Sequence, residues 1–231
     1  MKKLYEKNLV ENLYQNTQIP YETLLEFLSG DDFEQKHFAL TFITFLKNPD
    51  DITLFIQNLV DQDTKIRETA SFRINDFILE NNALMEILDK CPDIILRTAN
   101  DVNPQVCRNI CSLLNFSRNK DYLIEKILEK LELLIENTKA IKFKSHKVNK
   151  DVFNLYWNFF ALENLVSNEF SQIERLAELL LNSANYRDYT IRERIAFLAK
   201  KLFHSGFQQI STVIEKLQHD ENFYVRKALI Q

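Results

Sequence analysis

The side chains with the widest chemical repertoire in this chain are spaced in ways that give them little to do together. None of His37, His146, His204 and His219 has a second His or Cys at the helical spacing of a metal-binding motif such as His-Glu-x-x-His. Cys107 and Cys111 stand one helical turn apart and could share a metal, but no second pair accompanies them, so they are expected in the core as small apolar groups. With Cys91 they form no paired framework, which fits a reducing compartment and a cytoplasmic protein. Phosphate-cradling loops need clustered glycines, and Gly30 and Gly206 are the only two, so a P-loop and a dinucleotide fingerprint are both excluded. The expectation is a protein with no cofactor, no metal and no catalytic residues.

Two stretches are better suited to binding. From Lys139 to Lys150 the chain carries five lysines and no acid, in a protein whose formal net charge is −4. Lys142, Lys144 and Lys147 there are candidates for an acidic partner surface or for phosphate, against the commoner use of such a run as a solvated loop. Phe153, Tyr156, Trp157 and Phe160 follow at i, i+3, i+4 and i+7, one face of a helix that holds the only tryptophan. Tyr156 and Trp157 are the candidates for anchoring a partner in a groove, although most such stripes are core.

The elements that must carry these residues are helices. With 45% hydrophobic and 27% charged residues the chain has the balance of a globular protein, while 2 Gly and 4 Pro leave little material for turn-rich β architecture or flexible linkers. Its prolines fall where helices should start: Asn48-Pro49-Asp50-Asp51 reads as an N-cap, a proline at the first helical position and two acids at the positive end of the dipole, and Asn103-Pro104 repeats the pattern. Pro20 and Pro92 open apolar segments, and Gly30 and Gly206 are placed to close helices in a left-handed conformation. Leu123, Ile124, Ile127, Leu128, Leu131, Leu134 and Ile135 make one broad apolar stripe, and Ile191, Ile195, Leu198, Ala199 and Leu202 another. No apolar run approaches membrane-spanning length, and Leu4-Tyr5-Glu6-Lys7-Asn8 interrupts any signal-peptide core.

A phrase recurs. Asp61-Gln62-Asp63-Thr64-Lys65-Ile66-Arg67-Glu68-Thr69-Ala70 returns, blurred, from Asp220 to Leu229, with weaker copies from Gly30, Asp101 and Arg187. The intervals run from 31 to about 46 residues, the length of an antiparallel helix pair with its turns. Asp63 is placed to cap the helix beginning at Thr64, Ile66 and Ala70 to face the core, and Arg67 to lie on the flank, within reach of the next repeat.

This pattern, Asp-x-Asp-x-x-Val/Ile-Arg-x-x-Ala, resembles the second-helix signature of HEAT-type repeats. The resemblance implies an all-α fold, a right-handed α-α superhelix of the HEAT/armadillo kind with about five or six antiparallel helix pairs, spanning residues 1–231 as one domain. It also implies a ladder between successive repeats, with Asp63, Asn103, Asp188 and Asn222 as acceptors and Arg67, Arg192 and Arg226 as donors; Cys107 stands at the arginine place in the third copy. The segments from Tyr189 to Phe197 and from Asn222 to Leu229 resemble, more weakly, the HEAT-like alkylpurine DNA glycosylases. That likeness implies DNA contact through Arg192 or Arg194, although Trp157 is followed by no acid before Glu163 to match that family's tryptophan-flanked aspartate.

The expected function is a non-catalytic scaffold that offers a concave surface to a protein partner, since each added repeat rotates the array by a small constant amount. The alternative is a nucleic-acid-binding or DNA-repair protein using Lys142, Lys144, Lys147, Arg192 and Arg194. No membrane association is expected, and a homodimer contact is expected through the C-terminal end.

Overall fold

The computed structural model describes residues 19–139, 150–167 and 171–230; the candidates Lys142, Lys144 and Lys147 lie outside them. The described residues form thirteen α-helices and no strand: α1 Tyr21–Ser29, α2 Phe33–Phe42, α3 Ile52–Asn58, α4 Thr64–Glu80, α5 Met85–Leu88, α6 Pro92–Thr98, α7 Pro104–Cys111, α8 Lys120–Lys139, α9 Lys150–Leu165, α10 Ile173–Ser183, α11 Tyr189–His204, α12 Ser211–Gln218 and α13 Phe223–Ile230. They pair into six repeats. The first layer is α1, α3, α5 with α6, α8, α10 and α12, and the second is α2, α4, α7, α9, α11 and α13.

Local chemistry fixes where the second-layer helices begin. Asp32, Asp63, Asn103, Asp188 and Asn222 each accept a backbone amide hydrogen from the first turn that follows, at 2.7–2.9 Å, so five helices start on the same side-chain cap. Asn48 and Asp51 complete a reciprocal capping box ahead of α3, with Pro49 at the first position. Gly206 closes α11 with φ +94°, the left-handed conformation the sequence suggests. Gly30 does not: it is extended, with φ −77° and ψ −178°, a conformation open to any residue.

Both apolar stripes are buried between the layers, and the core runs without a break from Leu24 to Ala228. Phe55 and Phe77 meet edge to face at 5.1 Å within it. Successive second-layer helices pack on one another far more extensively than successive first-layer helices do. In a curved stack the inner arc is the shorter and brings its members closer, so the second layer lines the concave side.

The ladder exists, with acceptors two residues earlier than expected. Arg67 donates through Nε and Nη2 to Asp101 at 2.6 and 3.1 Å, and Arg192 grips Asp220 in the same way at 2.7 and 3.0 Å. Lys36 pairs with Asp61 at 2.7 Å. In all three bonds the acceptor is the acid two residues before the cap, Asp61 before Asp63, Asp101 before Asn103 and Asp220 before Asn222, because the capping residue is already occupied by its own helix. Each ladder acid also receives the amide of the capping residue at 2.8 Å, which ties the two roles into one turn. The arginine's Nη1 meanwhile donates back to the carbonyls of that turn: Asp61 and Gln62 for Arg67, Tyr186 and Arg187 for Arg192, Asp220 and Glu221 for Arg226.

At Cys107 only the backward half survives. Its thiol donates to the Asp101 carbonyl at 3.1 Å, but the side chain is too short to reach the next repeat. Different bonds hold the middle of the array. Asn158 of α9 donates to Asn100 Oδ1 at 2.6 Å, and Arg194 of α11 reaches back to α9. This change of coupling builds the site described next.

Candidate functional site

Helix α9 is almost entirely enclosed, and what it shows to solvent is a stripe of half-exposed residues that includes Phe153, Tyr156, Phe160 and Glu163. Arg194 of α11 lies against that stripe. Its guanidinium sits over three rings, 4.8 Å from the centroid of Tyr156, 4.9 Å from Phe160 and 5.1 Å from Phe197. It also donates to Glu163 Oε2 at 2.8 Å and to the Tyr156 hydroxyl at 2.7 Å. Both terminal nitrogens of the fork are therefore engaged, and they tie α11 to α9 at this cluster. One turn beyond Phe197, the Lys201 ammonium donates to the Glu163 carbonyl.

The sequence candidates fare differently from one another. Tyr156 lies on the exposed stripe, as the groove reading requires. Trp157 does not: it is 6% exposed and turned inward, meeting Phe153, Tyr156 and Phe160 edge to face, with its carbonyl 4.0 Å from the Cys111 sulfur. The physical reason is the width of the buried arc on α9, where helices pack on both flanks as well as below. Arg192 is likewise unavailable to a ligand, because Asp220 and two carbonyls consume its fork and leave it 6% exposed. Arg194 belongs to the site as the clamp that holds it together, with both terminal nitrogens bonded to α9.

Sequence reasoning passed over Phe197 and Glu163. A signal for Phe197 was present: it stands five residues after the ladder arginine Arg192, as Phe72 does after Arg67, and Phe72 is exposed on α4. The same layer exposes Phe42 and Leu79. At the edge of the second layer, Tyr189 and Tyr224 stack at 6.2 Å, and Phe223 and Ile230 on α13 are exposed.

Electrostatics separate structural groups from free ones. Burial alone would raise the pKa of Asp220, but hydrogen bonds from Arg192 and the Asn222 amide, with the charges of Arg192 and Arg226, hold it below the usual carboxylate range. Asp61 is lowered in the same way, mainly by Lys36 and the Asp63 amide. Lys201 moves the other way, lowered by burial and by the charge of Lys120, with Glu163 opposing. Burial pushes the Cys107 thiol up to about 12 and the Cys111 thiol well above its ordinary value. Among the described residues no group of three or more His, Cys, Asp and Glu is placed to hold a metal ion, and no helix is long and apolar enough to cross a membrane.

Stacked helix pairs with repeated caps, a continuous core and an inner layer of second helices define an α-α solenoid of the HEAT/armadillo type. Solved structures show the same fold. The chain is similar to a designed armadillo repeat protein, with a TM-score of 0.53 and 15% identity over 90% of this chain and 95% of that one. It is similar also to an engineered protein, with a TM-score of 0.50 and 15% identity over 92% and 94%. A third likeness is to the complex of CpcE and CpcF of phycocyanin lyase from Nostoc sp. PCC7120, with a TM-score of 0.54 and 12% identity over 93% of this chain and 76% of that one. The sequence matches no family model and no curated protein.

Proposed function

We propose that this protein is a non-catalytic cytoplasmic scaffold whose inner face binds a partner protein, with the centre of the contact on the α9/α11 ridge. The observation that carries the proposal is the cluster of Tyr156, Phe160 and Phe197 held by Arg194, each ring half-exposed on the inner layer of helices. Aromatic and arginine side chains that are already immobilised lose little entropy on binding, and such residues dominate protein interfaces. Phe72 and Leu79 extend the same apolar character toward the N-terminal repeats. The similarly folded CpcE and CpcF form a complex with each other, which supports reading such a solenoid as a surface for another protein.

The nucleic-acid reading is weaker on these observations. Arg192 and Arg194 already have partners, and stacked bases need open ring faces. Here Arg194 covers one face of each ring, and Trp157 packs against Tyr156 and Phe160 from the core side.

The test is site-directed photo-crosslinking in extract of cells that express the protein, with the reactive group placed at position 72, 160 or 197, and at the exposed position 133 on α8 as the outer-layer control. Protein adducts concentrated at the inner positions are expected. Equal yields at position 133, or adducts mainly to nucleic acid, would refute the reading.

A further inference from the structure

The charges around the aromatic cluster are not balanced, and the imbalance has a sign. Glu163 is committed to Arg194 at 2.8 Å, so that pair cancels. One turn beyond Phe197 come Lys200 and Lys201, neither bonded to a carboxylate among the described residues; Lys201 donates to the Glu163 carbonyl. Lys120, at the start of α8, is close enough for its charge to act on Lys201, where the Glu163 carboxylate opposes it. Glu193, one turn before Phe197, is the acid on this part of α11. Among the described residues, the aromatic strip therefore runs into three lysines, Lys200, Lys201 and Lys120, against Glu193 on α11 and Asp121 beside Lys120, in a protein that is acidic as a whole. Like charges held together cost free energy, and an incoming anion relieves that cost.

Resting on the scaffold reading above, we propose that the α9/α11 ridge docks a segment of another protein that lays an apolar side chain across the rims of Tyr156, Phe160 and Phe197 and sets carboxylates against Lys200, Lys201 and Lys120. The two halves of the contact do different work. The rim contacts remove apolar surface from water and govern dissociation, whereas the lysines steer encounter and set the sign of the partner's charge. Arg194 stays within its own cluster throughout, held by Glu163 and the Tyr156 hydroxyl.

The experiment is selection of a random 16-residue peptide display library against the whole chain, followed by anisotropy titration of the enriched peptides on wild type, F160A/F197A and K200E/K201E. The expected winners carry Asp or Glu beside Phe, Leu or Trp. They lose at least about tenfold in affinity on F160A/F197A, as for the loss of a buried large apolar side chain. They lose about tenfold on K200E/K201E and regain it when their acids are changed to Lys, with the loss shrinking at high salt. Peptides that need Phe160 and Phe197 but show no enrichment in acids, or that ignore K200E/K201E, would overturn this inference and leave the scaffold reading standing. Absence of any peptide sensitive to F160A/F197A would overturn both. The lysine variant alters side chains outside the core and keeps the charge question answerable if F160A/F197A proves poorly folded. Duplex and single-stranded DNA 16-mers serve as competing probes; displacement of the selected peptides by DNA at 150 mM salt would also count against a protein ligand.

Discussion

Arg192 and Arg226 hold the same place in two copies of the recurring phrase, and both donate to carbonyls of their own turn. Arg192 in addition grips Asp220, the two side chains being 8% and 7% exposed, whereas Arg226 has no carboxylate partner among the described residues. Comparing the two isolates the ladder bond. Removing one member of a buried, hydrogen-bonded ion pair costs about 3–5 kcal/mol, because the remaining charge keeps its desolvation without its partner. The Arg192→Ala variant is expected in that range. Arg226→Ala loses hydrogen bonds to two carbonyls near the surface and should cost about 1–2 kcal/mol. In the cycle of R192A, D220A and the double variant, the coupling should be about 2 kcal/mol or more, since two charge-assisted bonds are shared. Urea unfolding followed by circular dichroism measures all four proteins, with the slope against denaturant checked for constancy, because an array that unfolds in parts would lower it. Equal costs for R192A and R226A, or a coupling below about 0.5 kcal/mol, would refute the view that inter-repeat pairs hold the ends of this array together.

Acid should weaken the same bonds. The folded-state pKa values of Asp61 and Asp220 are depressed, so their contribution is full above the unfolded carboxylate pKa of about 3.9 and is lost as pH falls through the folded value. The stability gap between wild type and D220N should therefore be widest near neutrality and close below pH 4; a gap that stays constant into acid would argue against an ionised ladder. Thiol titration should find Cys91 reacting first and Cys107 and Cys111 reacting only as the protein unfolds, given their burial and raised pKa values. Fast labelling of either residue in the native protein would contradict the packing of α7 on α9. Trp157 fluorescence should be blue-shifted and poorly quenched by acrylamide, and strong quenching would mean that the indole, and with it the orientation of α9, faces solvent.

Much of the architecture was legible in the residues because its causes are local. An Asp or Asn ahead of a helix caps that helix wherever the chain goes, as Asp63, Asn103, Asp188 and Asn222 do, and apolar spacing of 3.6 residues picks the buried face of α8 and α11 without knowledge of neighbours. The ladder was legible in kind and misassigned by two residues. The phrases at Asp61, Asp101 and Asp220 each offer two Asp or Asn acceptors, and only the fold shows that the second is spent on its own helix and the first is left for the arginine or lysine before it.

The site was less legible. Phe153, Tyr156, Trp157 and Phe160 share one helical face, but that face is wide, and neighbouring helices decided that the indole turns inward while the other rings stay at the surface. Arg192 and Arg194 are two residues apart and look interchangeable in sequence. Packing sends one forward to Asp220 and the other back to Tyr156, Phe160 and Glu163. By itself, then, the sequence determined the helices, their caps and their buried faces, because capping and periodic burial act within a few residues, and its recurring phrase marked them as repeats. The tertiary structure alone decided which aromatic rings and which lysines meet on the inner face, because those residues lie on different repeats and become neighbours only when the layers stack.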